Sequence, residues 1–125
     1  MLEIAEGWSL DIERGPDWLF VRVRCEPPHI WDIPPLADMV WSLMSQHLAH
    51  RLVLECDELS IMPSELLGQL VLLQKRIVTH GGQMRITGLC PTVREAFRIA
   101  RLDRCLPVFA DRTEAVMGAR PNKPR

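Results

Sequence analysis

No apolar stretch in this sequence approaches the ~18 residues that a membrane span requires, so no membrane insertion is expected. The opening residues, Met1-Leu-Glu-Ile-Ala-Glu-Gly7, are acidic and lack the basic start and apolar run of a secretory signal. The expected location is the cytoplasm. Cys25, Cys56, Cys90 and Cys105 lie far apart with no Cys-x-x-Cys, and in a reducing compartment they read as buried thiols, not a disulfide framework. Charge of one sign is also missing. The formal net charge is −1, which gives no general attraction to nucleic acid or anionic membrane.

Catalytic signatures are absent too. Gly81-Gly82 follows a helical pattern instead of opening one, so it reads as a helix stop, not a phosphate cradle. There is no Gly-x-Ser-x-Gly elbow. His47 and His50 could share one helix face, but two ligands with no third nearby do not make a metal site. Asp57-Glu58 reads as a solvated loop, because nothing apolar beside it would hold one carboxyl protonated. A receiver-type phosphoacceptor domain would pair Asp57 with further acidic residues and a late lysine, and neither is present. No cofactor, no metal and no catalytic residue is expected. The residual enzyme reading would use a cysteine or the Asp57/Glu58 pair.

What is present is a regular pattern. The 125 residues suit one domain, with 47% hydrophobic and 25% charged residues. Charge is uneven: residues 1–90 hold 7 Lys/Arg against 12 Asp/Glu, and residues 91–125 hold 8 against 4. The plain reading of the latter is a solvated basic helix face and a basic tail.

Trp8, Leu10 and Ile12 alternate with polar residues, and Leu19, Val21, Val23 and Cys25 alternate with Phe20, Arg22 and Arg24. With the Arg14-Gly-Pro-Asp17 turn between them, they predict a hairpin, expected at a sheet edge. A proline-rich loop follows, from Glu26 to Pro35. Leu36, Met39, Val40, Leu43 and Leu48 predict a helix ending near His50. Leu52-Val-Leu54 predicts a strand covered on both faces.

A second helix is expected from Ser64, with Leu66, Leu67, Leu70, Val71, Ile77 and Val78 inward and Gly81 at its left-handed cap. Met84 and Ile86 mark a strand. Thr92-x-x-Glu95 suggests a capping box for a third helix, with Val93, Ala96, Phe97 and Ala100 inward. Leu106-Pro-Val-Phe109 suggests an edge strand, and Asp111 to Met117 a last helix with Asp and Glu three apart at its start. The fold class is α/β: a single domain over 1–118, with a mixed sheet, about five strands and four helices, and a disordered tail over 119–125. Trp31, in the proline-rich loop, is expected to tuck over the core, the alternative being an exposed anchor. Trp41 falls off the first helix's apolar stripe.

Arg51-Leu-Val-Leu-Glu-Cys-Asp-Glu-Leu-Ser-Ile-Met-Pro-Ser-Glu-Leu-Leu-Gly-Gln-Leu70 resembles the centre of STAS domains, the anti-sigma factor antagonist family. His80 to Ile86, Pro91 to Phe97, Leu102 to Phe109 and Asp111 to Ala115 match later parts of that family in order, so the resemblance spans about residues 8 to 118. It implies a STAS-like fold and a non-catalytic role in transcription regulation by partner switching. The implied partner is a serine kinase that also acts as an anti-sigma factor. The implied binding residues are Asp57, Glu58, Met62, Pro63, Ser64, Glu65, Leu66, Gly68 and Gln69.

The family's loop carries two serines, and the second is the usual phosphoacceptor. Here Ser64 matches the first, while Glu65 stands at the second. Pro63 replaces an acidic residue, Leu66 a glycine, and Gly68 is kept. Three readings stay open: Ser64 is the phosphorylated residue, Glu65 supplies a fixed negative charge, or the loop carries no switch. The plain structural reading makes Ser64 an N-cap and Glu65 a first-turn acid. A STAS-like subunit of another assembly, a transporter accessory or signalling scaffold, is the alternative function.

Overall fold

The computed structural model describes residues 1–117; the tail expected over 119–125 lies outside the described residues. The strands are β1 (Leu2–Ala5), β2 (Trp8–Arg14), β3 (Leu19–Cys25), β4 (Arg51–Glu55), β5 (Gln83–Thr87) and β6 (Val108–Phe109). The helices are α1 (Leu36–Gln46), α2 (Ser64–Thr79), α3 (Pro91–Ile99) and α4 (Arg112–Met117). The six strands form one sheet in sequence order. β1, β2 and β3 run antiparallel, and β3 to β6 run parallel. This is the mixed α/β sheet read from the sequence, with one strand more.

The extra strand is β1. Only Leu2 and Ile4 alternate there, too few to define a period, and the strand slips register between Glu3 and Ala5. Its pairing with β2 corrects one expectation: the hairpin is not at the edge, because β1 covers it. Gly7, at φ +79, makes the turn between them. A Cβ there would sit 2.4 Å from the His29 ring, so only glycine permits this approach.

Alternation along each strand sorts side chains onto two faces. Trp8, Leu10, Leu19, Val21, Val23, Leu52, Leu54, Met84 and Ile86 join the main core with residues of α1, α2 and α3. The opposite face carries a small apolar island of Trp18, Phe20, Val53, Phe109 and Ala115, with α4 over it. β4 is buried from Leu52 to Glu55, as its unbroken apolar run predicts.

Several local expectations change. α1 stops at Gln46, and Leu48 turns to φ +53 with its side chain exposed, so it is not in the apolar stripe. α2 buries Leu66, Leu70, Leu73 and Ile77. Val78 is exposed, contrary to expectation, and Leu73 is buried on that face. Gly81 is left-handed, as expected, at φ +81. The Thr92 capping box does not form. Pro91 already occupies the first helical turn, Cys90 caps without a side-chain bond, and Glu95 pairs with Arg98. Ala96 and Ala100 are exposed. At α4 the same spacing does close: the Glu114 N–H donates to Asp111 Oδ1 at 2.9 Å, and the Ala110 N–H to Glu114 Oε1 at 3.1 Å.

Trp31 is 69% exposed, contrary to the expectation that it tucks over the core. Neighbouring Ile30 takes the buried position instead, while the Trp8 indole N–H donates to the His29 carbonyl at 3.0 Å and fixes the loop. Trp41 is half-buried, 4.8 Å from the His80 ring and 5.7 Å from the Arg76 guanidinium. Among the cysteines only Cys56 is buried, and Cys105 is exposed; all four are free thiols.

Candidate functional site

The residues singled out from the sequence converge where β4 ends and α2 begins. β4 delivers Cys56, Asp57 and Glu58 to the carboxyl end of the sheet. The backbone holds the turn there: the Cys56 N–H donates to the Thr87 carbonyl at 2.8 Å, and the Leu59 N–H to the Cys56 carbonyl at 3.1 Å. Leu59 is buried and anchors the loop, while Ser60 and Ile61 are exposed.

The start of α2 corrects the expected cap. Pro63 occupies the N-cap in extended conformation (φ −60°, ψ 154°), with no side-chain cap bond, and Ser64 is the first helical residue. The Leu67 N–H is bonded to the Pro63 carbonyl at 3.0 Å. The amides before it belong to the first turn, where no intrahelical acceptor exists. Ser64 and Glu65 are both exposed beside those amides, where a negative charge is favoured.

The remaining candidates divide into a surface and its support. Pro63 and Leu66 are buried, and Met62 is half-buried against the core, so they anchor the helix start. Gln69 is also committed inward: its side-chain oxygen accepts the Ala37 N–H at 2.9 Å, tying α2 to the start of α1. Gly68 is exposed, and a Cβ there would meet nothing within 4 Å. With Leu72, 54% exposed one turn later, Glu65 and Gly68 form an open ridge along α2.

Sequence reasoning missed two arginines that belong to this region. Arg22 and Arg24 of β3 point to the charged face of the sheet. Arg22 lies 3.7 Å from Glu55, 3.9 Å from Asp57 and 3.8 Å from Glu58. Arg24 lies 3.8 Å from Glu58 and pairs with Asp11. The hydrogen bond and charge of Asp11 hold the Arg24 guanidinium above its ordinary range. Alternation placed both arginines on the polar face; their partners depend on how β3 sits beside β4. On the other side of the loop, Asp57 lies against Gly88, at φ +76, where a Cβ would come within 2.3 Å of its Oδ1.

The arrangement offers little for catalysis. Burial, then Asp57 and Glu55, push the Cys56 thiol up to about 12, so no thiolate forms near neutral pH. Burial chiefly also raises the Cys25 thiol. Among the described residues no group of three or more His, Cys, Asp or Glu could hold a metal ion. No helix among them is long and apolar enough to cross a membrane.

The comparisons with known proteins agree with this architecture. The STAS domain family model matches residues 11–115. The chain belongs to the STAS domain family. Among solved structures it is similar to an anti-sigma factor antagonist from Mycobacterium paratuberculosis, at 14% identity and TM-score 0.73, covering 94% of this chain and 97% of that one. Protein TM1081 of Thermotoga maritima gives 18% identity and TM-score 0.73, with 85% and 84% covered. The Bacillus cell fate determinant SpoIIAA in its phosphorylated form gives 16% identity and TM-score 0.61, with 90% and 100% covered. At these identities the likeness speaks for the fold. No match was found among curated proteins.

Proposed function

We propose that this chain is a non-catalytic regulator of the anti-sigma factor antagonist type. It engages a protein partner through the β4–α2 loop and the first turns of α2. The observation that carries this reading is the ridge of Glu65, Gly68 and Leu72: acidic and apolar groups exposed on a helix whose own anchors, Leu66 and Leu70, are fully buried. A rigid helix start with an open glycine suits close approach of another chain. The partner it fits is an anti-sigma factor with serine kinase activity.

Ser64 at the first helical position would accept a phosphate favourably, because unbonded amides and the helix dipole face it. Glu65 already places one negative charge there. A carboxylate carries one charge and a phosphoserine about −1.5 to −2, so Glu65 reproduces only part of a phosphorylated state.

Affinity capture from the native host tests the reading. Wild-type chain is expected to retain an ATPase of the histidine-kinase-like class, and Gly68→Arg to lose it while melting as wild type does. If no such ATPase is retained, or if Gly68→Arg retains it equally, the reading fails. Intact-mass measurement of the host-derived chain across growth conditions tests Ser64, and an added phosphate that maps elsewhere removes it as the acceptor.

A further inference from the structure

We propose that Arg22 and Arg24 are positioning residues that clamp the Asp57–Glu58 loop into the shape it presents to a partner. This rests on the reading of that loop as part of the docking surface. The loop's two acidic side chains are nearly half exposed, at 48% and 43%, yet each has an arginine within 4 Å. Arg22 reaches both Asp57 and Glu58 and also the buried Glu55 at the end of β4. Arg24 reaches Glu58 and is itself steadied by Asp11 of β2. The hairpin therefore grips the loop through two cations shared among four carboxylates.

The grip has a counterpart on the opposite side. Asp57 rests in the notch left by the missing side chain of Gly88. A loop held only by its backbone would need neither the notch nor the arginines, because the Cys56 and Leu59 amides are already bonded.

Exposed ion pairs add little to global stability. They are also screened by salt. Both properties separate positioning from folding: losing the arginines should loosen the loop and leave the sheet intact. They also set a charge condition on the partner. Asp57 and Glu58 meet it partly neutralised, which leaves Glu65 as the less compensated acid of the surface.

The test is amide hydrogen exchange on the full chain at low and at 1 M salt, with wild type, Arg22→Gln, Arg24→Gln, the double variant, Arg22→Lys and Gly88→Ala. The Leu59 and Cys56 amides are expected to exchange about tenfold faster in the double variant, with Leu54 and Ile86 unchanged. Wild type at 1 M salt should approach the double variant, Arg22→Lys should recover part of the protection, and Gly88→Ala should loosen the same amides from the other side. Loop exchange unchanged in the double variant overturns the clamp, as does faster exchange spread equally over the sheet.

Capture of the histidine-kinase-like ATPase supplies the second readout. Weaker capture by the double variant at unchanged melting temperature supports positioning, and capture undiminished by a loosened loop overturns it. Failure of the docking reading itself is seen separately, when Gly68→Arg captures as wild type does.

Discussion

On one face of the sheet, β2 to β5 present Trp8, Leu10, Val21, Val23, Leu52, Leu54, Met84 and Ile86, all buried under helices. On the other, the same strands present Asp11, Glu13, Arg22, Arg24, Glu55 and Arg85 around a small island of Trp18, Phe20 and Val53. The first face accounts for the stability of the fold through apolar burial, which is worth roughly 1.5–3 kcal/mol for each large side chain removed from water. The second is organised by ion pairs. Glu55 accepts both ends of the Arg112 fork, at 3.0 and 2.9 Å, which holds Arg112 above its ordinary range and docks α4. Arg112 also lies 4.1 Å over the Phe20 ring. The apolar core and the charged face sit back to back on shared strands, so a change on the charged face can alter geometry at the candidate site without emptying the core.

Substitutions can break this division in order of expected size. Phe97→Ala, on the apolar face, should cost about 3–5 kcal/mol in denaturant unfolding, because it leaves a cavity that the surrounding helix and sheet fill poorly. Glu55→Gln, on the charged face, should cost about 1–3 kcal/mol. That is less than a fully buried pair loses, since the Arg112 side chain stays 35% open to water. If Glu55→Gln costs as much as Phe97→Ala, the charged face is as structural as the core and the comparison fails.

Gly68→Ala tests the ridge in the other direction. Its added Cβ meets nothing, so helix propensity alone should raise stability by about 0.5–1 kcal/mol. A loss of stability there would mean that the ridge is packed and not open. Thiol chemistry separates the core from the surface at no cost to stability near neutral pH. Cys105 should alkylate first and Cys56 last, on native protein with a small iodoacetamide-type reagent. Because the folded Cys56 thiol ionises only near 12, against 9.0 for an unperturbed thiol, its neutral form contributes fully below about pH 9 and that contribution is lost as pH rises towards 12. In Cys56→Ala the fall in stability over that window should be shallower.

The alternation of Trp8-Leu10-Ile12 and Leu19-Val21-Val23, and the unbroken run Leu52-Val-Leu54, were enough to read most of the sheet, because period and burial are properties of a strand and its own neighbours. The start of α2 at Ser64 was legible for the same reason. Patterns that need an outside partner were not. Thr92-x-x-Glu95 and Asp111-x-x-Glu114 have the same spacing, yet only the second closes a cap, because Pro91 had already begun α3 one residue ahead of Thr92. Helical period places Leu66 inward, as the structure does, but the bond between Gln69 and Ala37 across 32 residues has no local signature.

The sequence by itself determined the α/β order, the buried central strand, and a helix opening at Ser64 with Glu65 where the STAS family resemblance led us to expect a second serine. Those follow from side-chain period, glycine and proline chemistry, and a motif contained in one stretch of chain. Only the tertiary structure decided that β1 takes the edge and that Trp31 stands in water. It alone showed that Arg22 and Arg24 reach Asp57 and Glu58 from a strand more than thirty residues away. Contacts between distant segments depend on how the sheet is assembled, and no local period encodes that.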